Sequence, residues 1–233
     1  MTADDTIESG IRRLILLRHG RTPWNALVRM QGHTDVQLDD CGRDQSEAAA
    51  RVLALEEPVR LWTSDLARAR ETASYLEKET GLTAVTDSRL REFDVGARSG
   101  LTQAEFAERF PEEYAASAAG HPHPLVPGEE PVSAVSIRMV EAITECFAQL
   151  AAGETGILVG HGASLKVGLM AALGWDPAAR QSLCGIDNCA WAILESEPAH
   201  PTPRLAGYNH RAKRCRPSED PAMPDFASDE GVG

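Results

Sequence analysis

Two histidines in this chain each stand just before a glycine at the end of an apolar run: Leu14 to Leu17 leads into Arg18-His19-Gly20, and Gly156 to Val159 leads into Gly160-His161-Gly162. A third apolar run, Val59 to Thr63, ends at Ser64-Asp65, with Arg68 in the first turn of the helical pattern that follows. Two imidazoles and the guanidiniums of Arg18 and Arg68, set among helix N-terminal amides, suit a phosphate dianion, because arginine offers rigid forked donors and a helix N-terminus favours an anion. The two histidines can meet only if their strands lie in one parallel sheet, whose carboxyl ends converge on a single crevice.

The elements needed for that convergence are legible along the chain. An apolar run that halts at a polar turn reads as a buried parallel strand. A helix is expected from about Gly42 to Glu56, with Ala48, Ala49, Val52 and Leu55 forming its apolar stripe, and another from Leu66 to Thr80, closed by Gly81 as the C′ residue. Leu82 to Thr86 reads as a third strand, Thr102 to Glu105 as a capping box opening a short helix through Phe110, and Val132 to Ala152 as a long amphipathic helix. Helix Ala163 to Leu173 follows the second histidine, and Asn188 to Leu194 with Arg204 to Tyr208 reads as an antiparallel hairpin at a sheet edge. Trp24 to Val36 and Asp87 to Gly100 read as polar loops, and His121 to Pro131 as a Pro-rich one. The pattern predicts an α/β fold, a three-layer α/β/α arrangement with a mostly parallel sheet and an antiparallel edge strand. Residues 1–216 are expected to form a single domain.

Composition narrows the partners. The net charge of −12 over 233 residues argues against general binding of nucleic acid or an anionic membrane surface. Pro217 to Gly233 carries five acids and no Lys or Arg, and is expected to be an acidic disordered tail; the remaining body is still acidic, so arginines gathered in it stand out. No apolar run reaches a membrane span, Met1 to Gly10 lacks the apolar core of a secretory signal, and five scattered cysteines suit a reducing compartment, so the expected location is cytoplasmic. His33 and Asp35 lack the further ligands of a metal site, and Arg70 and Arg91 read as structural or solvated.

Five ordered segments, Leu16 to Asn25, Ser64 to Ala73, Leu90 to Gly96, Gly100-Leu101-Thr102 and Val159 to Gly162, resemble the histidine phosphatase superfamily in its phosphoglycerate-mutase-like branch. The resemblance implies that His19 attacks phosphorus and forms a phosphohistidine, and that Glu92 protonates the leaving oxygen and then deprotonates water. It implies too that Arg18, Arg68 and His161 hold the phosphoryl oxygens, each well-placed donor being worth about 3 kcal/mol in the transition state. Thr22, Asn25, Gln31, Gly32 and Ala163 would line the pocket. Neither a metal nor another cofactor is implied.

Only Gln103 to Leu125 separates Gly100-Leu101-Thr102 from Pro127-Gly128-Glu129-Glu130, a short cap that favours water as acceptor. The expected activity is therefore hydrolysis of a small phosphomonoester. Met30 to Asp35, Asp187 to Trp191 and Arg204 to Asn209 resemble the glucosyl-3-phosphoglycerate phosphatases. Two departures, Gly128-Glu129-Glu130-Pro131 for the usual Gly-Gly-Glu-Ser and Ala163 for a second Gly, bear on the choice of substrate, a sugar phosphate or a glucosyl-3-phosphoglycerate-like ester. A cofactor-dependent mutase and a non-catalytic phosphate-binding module are the alternatives, and edge strands near Asn188 to Tyr208 could pair two chains into a homodimer.

Overall fold

Strand β1 (Arg12–Arg18) runs through the middle of a six-stranded sheet, and residues Leu14 to Leu17 within it are fully buried because both faces are covered. This is a computed structural model that describes residues 10–119, 126–197 and 200–212. Side-chain alternation sends Leu14 and Leu16 to one face and Ile15 and Leu17 to the other. The first pair packs on helices α6 (Val132–Ala148) and α7 (Gly162–Ala172), through Met139, Ile143, Leu165 and Leu169. The second packs on α2 (Asp40–Ala54) and α3 (Ala67–Thr80), through Ala49, Leu53, Ala73 and Leu76. Three layers result, as the alternation of elements predicts.

Strands β2 (Arg60–Thr63), β3 (Val85–Thr86) and β4 (Thr155–Gly160) are parallel to β1, in the order β3-β2-β4-β1. On the other side β5 (Ala190–Glu197) runs antiparallel to β1 and pairs with β6 (His200–Arg211) to make the expected hairpin edge. The carboxyl ends of β1, β2 and β4 therefore open on one side.

Four expectations need correction. The buried face of α2 is Gln45, Ser46, Ala49, Ala50 and Leu53, whereas Val52 and Leu55 are 39% and 82% exposed. Hydropathy picks the wrong stripe because two polar residues are buried for a reason: Gln45 Oε1 accepts from the Arg21 amide at 2.9 Å, and Ser46 Oγ donates to the Gly42 carbonyl at 2.7 Å. Strand β3 is only two residues long, since the Ala84 amide turns to the Glu77 carboxylate instead of a neighbouring strand. The loop after β1 contains a four-residue helix, α1 (Pro23–Ala26), opened by a reciprocal Thr22/Asn25 capping box. Helix α6 ends at Ala148, four residues short of the expected Ala152.

The capping box at Thr102 opens α4 (Gln103–Arg109) as predicted, and a second helix, α5 (Pro111–Ala118), follows it. Residues 121–125 of the Pro-rich loop, the N-terminal nine residues, Cys215 and the acidic tail lie outside the described residues.

One contact fixes how β1 meets α2. A side chain on Gly42 would place its Cβ 2.0 Å from the Arg21 carbonyl oxygen, and one on Gly20 would lie 2.4 Å from the Gly42 carbonyl. Both obstacles are backbone and cannot rotate away. Gly42→Ala should therefore cost about 2–3 kcal/mol, as other overpacked sites do, read as a lower urea midpoint with unchanged slope. A midpoint equal to wild type would show that the turn and helix separate freely.

Candidate active site

The ends of β1, β2 and β4 bring His19, Ser64 and His161 together, as the sheet order requires. The two imidazole rings lie 5.1 Å apart between centroids, tilted by 59°, and both are buried. His19 Nδ1 is 2.7 Å from the Gly20 carbonyl oxygen. A carbonyl only accepts, so Nδ1 carries the proton and Nε2 keeps a lone pair. That is the form a nucleophile needs.

His161 is held the other way round. Arg68 Nε donates to its Nδ1 at 3.2 Å, so the neutral ring bears its proton on Nε2, which donates to Ser64 Oγ at 2.9 Å. Arg68 itself is fully buried and donates also to the carbonyls of Thr34 (2.9 Å) and Gly32 (2.8 Å). It thus ties the pocket loop to the second histidine. Burial lowers its pKa to about 10, against the opposing pull of Glu92, and it stays charged at neutral pH. Arg18 donates to the Ile186 carbonyl at 2.6 Å, and its guanidinium lies so close to Gly162 that a Cβ there would sit 3.3 Å from its Cζ.

Burial, then the charges of Arg68 and Arg18, hold His19 well below the usual histidine pKa near 6.5. Burial first, then Arg68, His19 and Arg18, do the same for His161. Both rings are neutral at pH 7. Since the unfolded chain takes up protons below about pH 6.5 and the folded rings do not, stability should fall as pH drops below that value, each ring adding at most ~1.4 kcal/mol per pH unit. Urea unfolding between pH 7 and 5 reads this slope. It should flatten in the double variant His19→Asn, His161→Gln; an unchanged slope would remove these rings as its source.

Glu92 approaches from the loop after β3 and docks on the N-terminus of α7. Its Oε2 accepts from the Ala163 amide at 3.1 Å, and its Oε1 from the amides of Ser164 (2.8 Å) and Phe93 (3.0 Å). Ala163, expected to line the pocket, thus acts through its main chain. Thr22 Oγ1 lies 3.1 Å from both Asn25 Oδ1 and Gln31 Oε1, and the left-handed Gly32 (φ 51°) turns its carbonyl to Arg68. Thr22, Asn25, Gln31 and Gly32 therefore form one hydrogen-bonded wall beside the β1 end.

Several residues of the site carried no signal of their own. Asn188 Nδ2 donates to the His19 carbonyl at 3.1 Å and to Asn25 Oδ1 at 3.3 Å, closing the wall from the β5 side. Ser64 was legible only as the last residue of a strand motif. His33 Nε2 donates to the Glu92 carbonyl at 2.9 Å, and Asp35 caps α3 through the Ala67 amide, so the pair serves the loop. Arg91 pairs with Asp65, and Arg70 is exposed, as their sequence positions suggest.

This arrangement offers an uncharged nucleophilic nitrogen on a cationic floor, with a carboxyl group close by. The chain matches the histidine phosphatase superfamily (branch 1) over residues 14–209. It is 37% identical over 193 residues to a glucosyl-3-phosphoglycerate phosphatase of Mycolicibacterium vanbaalenii, covering 79% of this chain and 84% of that protein. A metal-independent phosphoserine phosphatase of Arabidopsis thaliana is 36% identical over 166 residues, 70% of this chain and 69% of the plant protein. A solved structure of a mycobacterial glucosyl-3-phosphoglycerate phosphatase with VO3 superimposes with a TM-score of 0.77 at 34% identity, covering 85% of this chain and 98% of the other. Among the described residues no helix is long and apolar enough to cross a membrane.

Proposed function

This chain belongs to the histidine phosphatase superfamily (branch 1), and from that premise we propose that it hydrolyses a small phosphorylated metabolite through a phosphohistidine on His19. The observation that carries the reading is the tautomer of His19: its proton is held on Nδ1 by Gly20, so Nε2 is free of a proton at neutral pH in a site where Arg18 and Arg68 attract a phosphate dianion. In the first step Nε2 forms a bond to phosphorus as the bond to the leaving oxygen breaks, and Glu92 gives that oxygen a proton. In the second, water attacks phosphorus, the N–P bond breaks, and Glu92 takes the proton back. Arg18 and Arg68 supply the positive surface for the oxygens in flight, and the neutral His161 turns its Nε2 proton from Ser64 to one of them.

The similarity to glucosyl-3-phosphoglycerate phosphatases supports a sugar phosphate or glucosyl-3-phosphoglycerate-like substrate, with the wall of Thr22, Asn25, Gln31 and Gly32 beside it. The same proposal takes residues 1–216 as one domain in the cytoplasm. The test is a panel of sugar phosphates, phosphoglycerates, phosphoserine and glucosyl-3-phosphoglycerate, scored by release of inorganic phosphate, with quenched samples probed for an acid-labile, alkali-stable phosphoenzyme. Release of phosphate with a trapped phosphohistidine supports the reading. Transfer of the phosphoryl group to a second metabolite without release would replace it with a mutase, and binding without turnover with a phosphate-binding module.

A further inference from the structure

The loop that delivers Glu92 has little regular structure of its own. It lies between two single 3₁₀ turns, Ser88–Leu90 and Gly96–Arg98, so neither helix nor sheet satisfies its carbonyls. Such groups must find partners elsewhere or pay for burial. The Asp94 carbonyl accepts from the Glu130 amide and the Glu92 carbonyl from His33, and three carbonyls, that of Glu92 among them, share one side chain, Arg138 of α6. Its Nη1 donates to the carbonyls of Arg89 (2.6 Å) and Arg91 (2.7 Å), and its Nη2 to the carbonyl of Glu92 itself at 3.0 Å. Nε and the other Nη2 proton go to the two oxygens of Glu130, each at 2.8 Å.

All five N–H donors of this guanidinium are thereby used, three of them on the main chain of one loop. None remains for a phosphoryl oxygen, which separates Arg138 from Arg18 and Arg68 in kind. Glu130 grips the same loop a second way: its amide donates to the Asp94 carbonyl at 2.8 Å, and its Oε2 accepts from the Asp94 amide at 3.3 Å. Burial opposes ionisation of Glu130, but the hydrogen bonds and charge of Arg138 outweigh it and hold the carboxyl below its ordinary value. The bidentate pair is a rigid bracket between α6 and the loop.

We propose that Arg138, braced by Glu130, is a positioning residue that sets the main chain at Glu92 and thereby the placement of the Glu92 carboxyl against the leaving oxygen. The inference rests on the proposed role of Glu92 as the proton donor. It has a signature that loss of folded protein would not give. A poor alkoxide leaving group depends on the proton, whereas p-nitrophenolate leaves nearly unaided, so displacement of Glu92 should harm alkyl esters selectively.

The experiment compares kcat/KM for glycerol phosphate and p-nitrophenyl phosphate in wild type, Arg138→Met, Arg138→Lys, Glu130→Gln and, as reference, Glu92→Gln. Arg138→Met should lose about hundredfold on the alkyl ester, the scale of a misplaced reacting group, and less than about threefold on the aryl ester. Glu130→Gln should show the same selectivity at about tenfold, and Arg138→Lys, with one point donor in place of a fork, should fall between wild type and Arg138→Met. If Arg138→Met does not fold, the selectivity of Glu130→Gln, which keeps every donor of Arg138, decides the matter. Equal losses on both esters in the Arg138 and Glu130 variants, with Glu92→Gln selective, would overturn the inference alone. A Glu92→Gln enzyme without selectivity would overturn the role of Glu92 and the inference with it.

Discussion

Replacing His19 with alanine should lower kcat by on the order of 10⁵-fold and abolish the phosphoenzyme, while leaving the protein folded and able to bind an oxyanion. The size follows from what is removed. With the Nε2 lone pair gone, no other described group in the site combines proximity with an unprotonated, proton-free nitrogen: His161 has Nδ1 bonded by Arg68 and its proton directed at Ser64. Binding should survive because Arg18 and Arg68 keep their charges and their anchors on Ile186, Thr34 and Gly32. The fold should persist at a cost of about 2–4 kcal/mol, since the buried ring leaves a cavity and the Gly20 carbonyl loses its partner. Steady-state hydrolysis of a phosphomonoester, together with calorimetric titration of vanadate, separates the two consequences. Hydrolysis within tenfold of wild type would place the nucleophile elsewhere.

The second large effect is expected from Glu92→Gln. The amide is the same shape and can still accept from Phe93 and Ser164 through one oxygen, but its NH₂ group meets the Ala163 amide, donor against donor. It can neither give nor take the proton. Loss of a positioned acid–base group costs typically 10²–10⁴-fold, and here the loss should fall on both half-reactions. Formation of the phosphoenzyme should slow for alkyl esters. Its hydrolysis should slow for every substrate, because each passes through the same intermediate. With p-nitrophenyl phosphate the prediction is distinctive: a rapid burst of nitrophenolate, then slow turnover, with phosphohistidine accumulating in the steady state. A single slow phase without a burst would mean that Glu92 does not act on the incoming water.

The sequence exposes the centre of this fold because β1 is buried on both faces, so Leu14 to Leu17 stand out as an unbroken apolar run ending at a polar turn. It hides the partners that hold the turn. The face of α2 is masked by Gln45 and Ser46, polar residues buried to satisfy the main chain at Arg21 and Gly42, and a hydropathy count passes over them. Ser64 and Asn188 are ordinary residue types whose role depends on which strand ends are neighbours, a three-dimensional fact. Arg138 left one trace: it is a lone arginine beside the apolar stripe of Val135, Met139, Ala142 and Ile143, where a charge needs a reason. His19, Glu92, His161, Arg18 and Arg68 could be gathered from sequence because each sits in a motif. That Arg68 spends donors on His161 and two loop carbonyls could not be gathered that way, since a spacing pattern does not say which way a side chain turns.

The glycine contact between the β1 turn and α2 has a consequence for how the central strand finds its place. A strand apolar on one face cannot slip by one residue without turning that face to water, but Leu14 to Leu17 are apolar on both faces, so burial alone does not distinguish the native alignment from its neighbours. The distinction is made at the strand's end. Gly20 and Gly42 meet with no room for a methyl group, and the amides of His19 and Cys189 bond across at Gly160 and Arg18, so a shift in either direction drives a side chain into Arg21 or strands a charged group in the core. The turn that carries His19 therefore also serves as the zero mark from which the sheet is measured.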